Sequence, residues 1–151
     1  MDTFKRKVVN EKDQDEKMKY VKENHDANAY SFWKVDYDKL EGELTVDYQS
    51  ENQVTGFLDR CESFRKHVYS VNCLVGKPGD YNITSVWFWR GVDKLPCIDD
   101  NPDAEYYKFT KLDPSKAEDW KTISDYFTIT DDCLNKRVLN GQPLVFYKEY
   151  K

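Results

Sequence analysis

Between Glu51 and His67 the apolar positions are Val54, Phe57, Leu58, Cys61 and Phe64. They recur every three or four residues apart from the adjacent pair, and this spacing predicts one face of an amphipathic helix. Asp59, Arg60, Glu62, Ser63, Arg65 and Lys66 fill the opposite face. Gly56 interrupts the pattern at a cost of about 1 kcal/mol relative to alanine, which suggests a close approach of another backbone or ring. The pattern then changes period. Val68–Val75 is rich in β-branched residues, Gly76–Asp80 (G-K-P-G-D) is turn chemistry, and Ile83–Arg90 follows as I-T-S-V-W-F-W-R. Two such runs around a short Gly/Pro loop predict an antiparallel hairpin. Alternation on the second strand puts Val86 and Phe88 on one face and Trp87 and Trp89 on the other. Both faces are apolar, as in a central strand covered on each side.

Further along, Leu95–Asp103 reads as a loop and Glu105–Leu112 as another strand. Asp113-Pro114 predicts a helix start with aspartate as cap and proline in the first turn. Ser115 and Glu118 offer an alternative capping box. Trp120, Ile123 and Phe127 form the apolar stripe of that helix, which ends near Phe127. Asn140-Gly141 marks a turn before a short terminal strand, Leu144–Tyr147. By contrast, residues 10–28 are mostly charged or amide, with little to bury. Order is expected to begin around Tyr30-Ser31-Phe32-Trp33, leaving residues 1–28 as a charged, partly flexible leader and 29–151 as one domain. The sequence of elements indicates an α+β fold on an antiparallel sheet.

Composition narrows the function. The 151 residues carry a formal net charge of −5, and 34% are charged, which fits a soluble protein. That balance disfavours a protein devoted to a phosphate backbone. The densest basic cluster, Lys5-Arg6-Lys7, reads as part of a solvated leader. No apolar run approaches the ~18 residues of a membrane span. Cys61, Cys73, Cys97 and Cys133 lack the spacing of a zinc site and are too few for a disulfide scaffold, so reduced cytosolic thiols are expected. The sequon Asn82-Ile83-Thr84 is set aside for want of a signal peptide.

Candidate chemistry is sparse. His25 lies in the charged leader, where a solvated state is expected, and His67 closes the predicted helix, where the dipole favours it. Asp99, Asn101, Asp103 and Glu105 alternate like the start of a calcium loop. Ala104 and Thr110 stand where such a loop needs glycine and a bidentate glutamate, so an acidic surface loop is the better reading. No phosphate-binding glycine loop and no nucleophile elbow is present. Catalytic, cofactor and metal residues are therefore expected to be absent.

Several short stretches in order resemble the C-terminal domain of the eukaryotic translation elongation factor 1 gamma family. Asp2-Thr3-Phe4-Lys5-Arg6-Lys7 is similar to its D-x-F-K-R-x start, and Asp26–Trp33 to its D-x-x-G-W-S-x-W element. Asn52–Lys66, with Thr55-Gly56-Phe57, Arg60 and Arg65-Lys66, resembles its N-x-x-x-G-F-x-x-R…R-K helix. Ser85–Gly91 resembles its V-W-x-x-R-G strand, and Lys111–Pro114 with Asp125-Tyr126-Phe127 its K-L-D-P and Y-F landmarks. Ala29 and Tyr30 replace the usual Gly and Trp, and Val21 stands at a usual Trp.

The resemblance implies an antiparallel sheet of about five strands flanked by helices. It also implies a non-catalytic scaffold subunit of the cytoplasmic elongation factor 1B complex, which reloads elongation factor 1 alpha with GTP. In that family a glutathione-transferase-like domain makes the subunit contacts, so the partners implied are the other complex subunits, reached through the full-length protein. The direct partner of this domain is left open. The alternative is a single-stranded RNA-binding module in which Trp87, Trp89 and Arg90 form an aromatic and cationic platform. The charged residues expected to contribute to a partner surface are Arg60, Arg65, Lys66 and Arg90. Val54, Phe57, Leu58, Phe64, Trp87, Phe88, Trp89 and Trp120 are expected in the core.

Overall fold

The computed structural model describes residues 1–93 and 104–151, without the side chain of Phe64. In chain order they form α1 (Asp2–Asn10), α2 (Gln14–Asn24), β1 (Tyr30–Tyr37), α3 (Asp47–Asp59), β2 (Val68–Lys77), β3 (Asp80–Arg90), β4 (Tyr107–Leu112), α4 (Ala117–Phe127), β5 (Val138–Leu139) and β6 (Gln142–Tyr150). The strands make one antiparallel sheet in the order β4-β1-β3-β2-β6-β5. This is an α+β fold with six strands among the described residues.

The β2–β3 hairpin occupies the middle of the sheet, closed by Pro78-Gly79 with Lys77 opposite Asp80. Gly79 has φ +92°, the left-handed conformation that a proline–glycine turn needs at its second central position. Gly76 is tighter still. Its φ is +115°, and a Cβ there would lie 2.3 Å from the Asp80 carbonyl oxygen.

Alternation along β3 divides the core into two layers. Val86 and Phe88, with Phe32 and Tyr69 on the neighbouring strands, face Phe4 and Val8 of α1, Met18 and Val21 of α2, and Ile123 and Phe127 of α4. Trp87 and Trp89, with Trp33 and Leu74, face Val54, Phe57 and Leu58 of α3. Trp87 and Trp89 are 1% and 0% exposed. Trp120 is half-buried at the edge of the first layer.

Burying an indole requires an acceptor for its N–H, and β1 and β3 supply one in the same way. Trp33 Nε1 donates to Ser31 Oγ (2.8 Å) and Trp87 Nε1 to Ser85 Oγ (3.3 Å). In each strand the serine lies two residues before the tryptophan, on the same face. The hydroxyls pass the bond on, Ser31 to the Gly91 carbonyl and Ser85 to the Val35 carbonyl. Trp89 Nε1 instead reaches the Asp93 carbonyl at 3.1 Å.

Several boundaries differ from the sequence reading. Order begins well before Tyr30, because the few apolar residues of the leader fall on helical faces. Phe4 and Val8 are one turn apart in α1, and Met18 and Val21 line α2. Asp13 Oδ1 accepts from the Asp15 and Glu16 amides and so starts α2. Buried Lys17 donates from Nζ to the Phe127 carbonyl (3.2 Å), tying α2 to the C-terminal end of α4. Burial pushes the Lys17 pKa down, against the opposing pull of Glu149 and Glu11.

The helix expected over 51–67 starts earlier and divides in two. The Arg60 amide closes α3 on the Gly56 carbonyl, and Glu62–His67 continues as a 3-10 helix. Gly56 has no close neighbour, since a Cβ built there meets nothing within 4 Å. The packing reason expected for this glycine is absent. Near residue 113 the aspartate does not cap α4. Its Oδ1 accepts from the amide and the hydroxyl of Ser115, making a local turn, and the helix starts three residues later with Lys116 at the cap position. The Ser115–Glu118 capping box is not formed.

Candidate interaction surface

An aromatic platform at Trp87 and Trp89 is ruled out by their burial beneath α3. Among the described residues no group of three or more potential metal ligands comes together. Asp99, Asn101, Asp103 and Cys97 lie outside the described residues, and Glu105 sits in a short 3-10 turn, Ala104–Tyr106. Cys61, Cys73 and Cys133 form no disulfide. His25 is half-buried rather than fully solvated. Its ring packs 4.9 Å from that of Phe32, and Nε2 lies 3.3 Å from the Tyr30 carbonyl. No helix of the described residues is long and apolar enough to cross a membrane.

The four predicted cations do not form one cluster. Lys66 and Arg90 do meet, for a reason fixed by sheet register. Val68 pairs with Trp89, so Lys66 and His67, just before β2, emerge beside Arg90, just after the buried part of β3. Together with Met1, Asp2 and Thr3 of the α1 end they line a depression of about 340 Å³. Lys66, His67 and Arg90 are all exposed. Arg65 points elsewhere. Its Nε donates to the Lys151 carbonyl (2.6 Å), Nη1 lies 3.4 Å from Glu62 Oε1, and the guanidinium sits over the Tyr150 ring. Arg60, at the end of α3, lies within electrostatic reach of Tyr107 on the β4 side of the molecule.

Two residues join this corner that the sequence reading had placed elsewhere. Lys5 Nζ donates to the Arg65 carbonyl at 2.6 Å, pinning α1 to the 3-10 segment. Burial lowers the Lys5 pKa, Asp2 opposes that effect, and Arg65 adds to it. His67 borders the depression rather than ending an α-helix. The available signal was the hairpin register, which sets residues 66–67 across from residue 90. A second depression of about 380 Å³ opens between the α2–β1 loop and the end of β4, where Tyr30, Phe32 and Leu112 meet His25, Lys111 and Asp113.

The family described as "Elongation factor 1 gamma, conserved domain" matches residues 1–93. The chain belongs to the elongation factor 1 gamma family. The matched span runs from α1 to the loop after β3, and so contains every residue of the cationic depression. Among relatives, an elongation factor 1-gamma of Schizosaccharomyces pombe is 31% identical over 94% of this chain and 35% of its own length. Elongation factor 1-gamma 2 of Saccharomyces cerevisiae is 34% identical over 95% of this chain and 36% of its own. The Artemia salina elongation factor 1-gamma is 37% identical over 86% of this chain and 30% of its own. The chain thus spans about a third of the length of these elongation factor 1 gamma relatives.

Proposed function

We propose that this chain serves translation elongation as a non-catalytic interaction domain of elongation factor 1 gamma, within the cytoplasmic elongation factor 1B complex that recharges elongation factor 1 alpha. The observation that carries this reading is its similarity to proteins named elongation factor 1-gamma over 86–95% of its length. The fold is consistent with it. Both faces of the sheet are covered by helices, so partner contacts fall to the rim and the outer helix surfaces.

The test is affinity capture from a eukaryotic extract with the chain as bait, followed by mass spectrometry, together with GDP release from elongation factor 1 alpha. Recovery of an elongation factor 1 subunit, with no acceleration of GDP release by the chain itself, is the expected result. Recovery of none, or turnover of a small substrate by the purified chain, overturns the reading.

A further inference from the structure

Lys66 and Arg90 are exposed cations on one depression, and neither has a hydrogen-bond or ion-pair partner among the described residues. Asp2, which shares the lining, acts on Lys5, whose charge it offsets. Counted over the described residues, the lining therefore carries more cations than carboxylates, on a chain whose net charge is −5. Surface cations are ordinarily interspersed with carboxylates, as Lys121 is with Asp125 and Lys39 with Asp80. Among the described residues Lys66 and Arg90 have no such ion-pair partner, and Asp2 is the single carboxylate in the lining.

We infer that the depression bordered by Lys66, His67 and Arg90 docks a short acidic segment of a protein partner, whose carboxylates pair with Lys66 and Arg90. The site rests on the interaction-domain reading above. Three observations favour a peptide over a nucleic acid. The lining includes no Trp, Tyr or Phe on which a base could stack. The tryptophans of β3 are buried under α3. The chain's negative net charge opposes a long polyanion laid across its surface, whereas a segment with two or three carboxylates needs only this corner. Arg90 can hold one carboxylate in a two-point contact and Lys66 a second as a point charge. The Thr3 hydroxyl at the rim adds a donor.

The test titrates the full chain with a fluorescent peptide rich in glutamate and aspartate, its glutamine and asparagine counterpart, and oligouridylate of equal length. The acidic peptide is expected to bind best, and more weakly as salt rises. Lys66→Glu combined with Arg90→Glu should weaken it by roughly tenfold or more with an unchanged melting temperature, because both side chains are exposed. Arg60→Glu, on the β4 side, should change it by less than about twofold. Equal binding of the amide peptide, tighter binding of oligouridylate, or full binding by the charge-reversed chain overturns the site. If the charge-reversed chain still captures the same elongation factor subunit from extract, the site falls while the interaction reading stands. If neither chain captures one, the interaction reading falls and the peptide titration decides the site by itself.

Discussion

Gly56→Ala should stabilise the protein. Gly56 lies inside α3 with φ outside the left-handed region, and an added Cβ meets nothing within 4 Å. Neither a steric clash nor a backbone constraint opposes the methyl group. Glycine inside a helix costs about 0.5–1 kcal/mol relative to alanine, chiefly through the freedom of the unfolded chain. For a chain of this length that gain corresponds to a rise of about 1–4 °C in melting temperature. Urea unfolding followed by circular dichroism should show a higher midpoint at an unchanged slope. Gly76→Ala is the internal contrast. With φ at +115° and the Asp80 carbonyl oxygen 2.3 Å from the new Cβ, the hairpin must shift, and a loss of at least about 2 kcal/mol is expected. A Gly56→Ala protein less stable than the parent would refute the reasoning, since it would mean that α3 packs against something at residue 56 in the folded protein.

Ser85→Ala removes the acceptor of the Trp87 indole N–H and the donor to the Val35 carbonyl. A loss of about 1–3 kcal/mol is expected in urea unfolding, and a change below about half a kcal/mol would show that the indole finds another partner. Burial raises the pKa of Tyr69 well above its ordinary value, with Glu149 adding to the effect, and likewise raises Tyr107 and Tyr126. Their folded pKa values exceed the unfolded value of about 10, so the stability they contribute is complete below that pH and is lost as the pH climbs past it. An alkaline titration of tyrosinate absorbance should therefore leave part of the 11 tyrosines un-ionised until the protein unfolds, and a single reversible wave for all of them would contradict this. Cys61 and Cys73 are fully buried, and burial raises the Cys73 thiol. In a chain carrying Cys97→Ser and Cys133→Ser, a thiol reagent should label them only as fast as the protein opens, and rapid stoichiometric labelling of the native chain would show both layers to be accessible, Cys73 lying in the first and Cys61 in the second.

The central hairpin was legible because its information is local. Turn chemistry at Pro78-Gly79 and strict alternation through Val86–Trp89 fix both the turn and the two faces without reference to the rest of the chain. The leader was not, because composition averages over positions. Residues 10–28 look unfoldable as a sum, yet Met18 and Val21 sit on one side of α2, and only the neighbouring layer of β3 shows that this side has something to cover. The end of α3 was misread for a geometric reason. Leu58, Cys61 and Phe64 recur every three residues, a spacing that suits the threefold 3-10 helix as well as the α-helix. Asp113 was misread for a chemical one, since its carboxylate is taken up by Ser115. Of the four predicted surface cations, two converge and two do not, and nothing in their sequence spacing separates the pairs.

What separates them is the register that also buries the tryptophans. A slip of β2 against β3 by two residues would keep every side chain on its own face, so the core layers alone do not determine it. Such a slip would carry Arg90 away from Lys66 and dissolve the cationic corner. The hairpin turn prevents it. Lys77 opposite Asp80 leaves room for only Pro78 and Gly79 in the loop, and the close approach of Gly76 to Asp80 admits no larger residue. Val68 is thereby held against Trp89 at the far end, ten residues away along β2 counted inclusively from Lys77. The turn at one end of the hairpin thus sets which charges meet at the other, and β3 changes from buried aromatic to exposed cation between Trp89 and Arg90, where those charges meet.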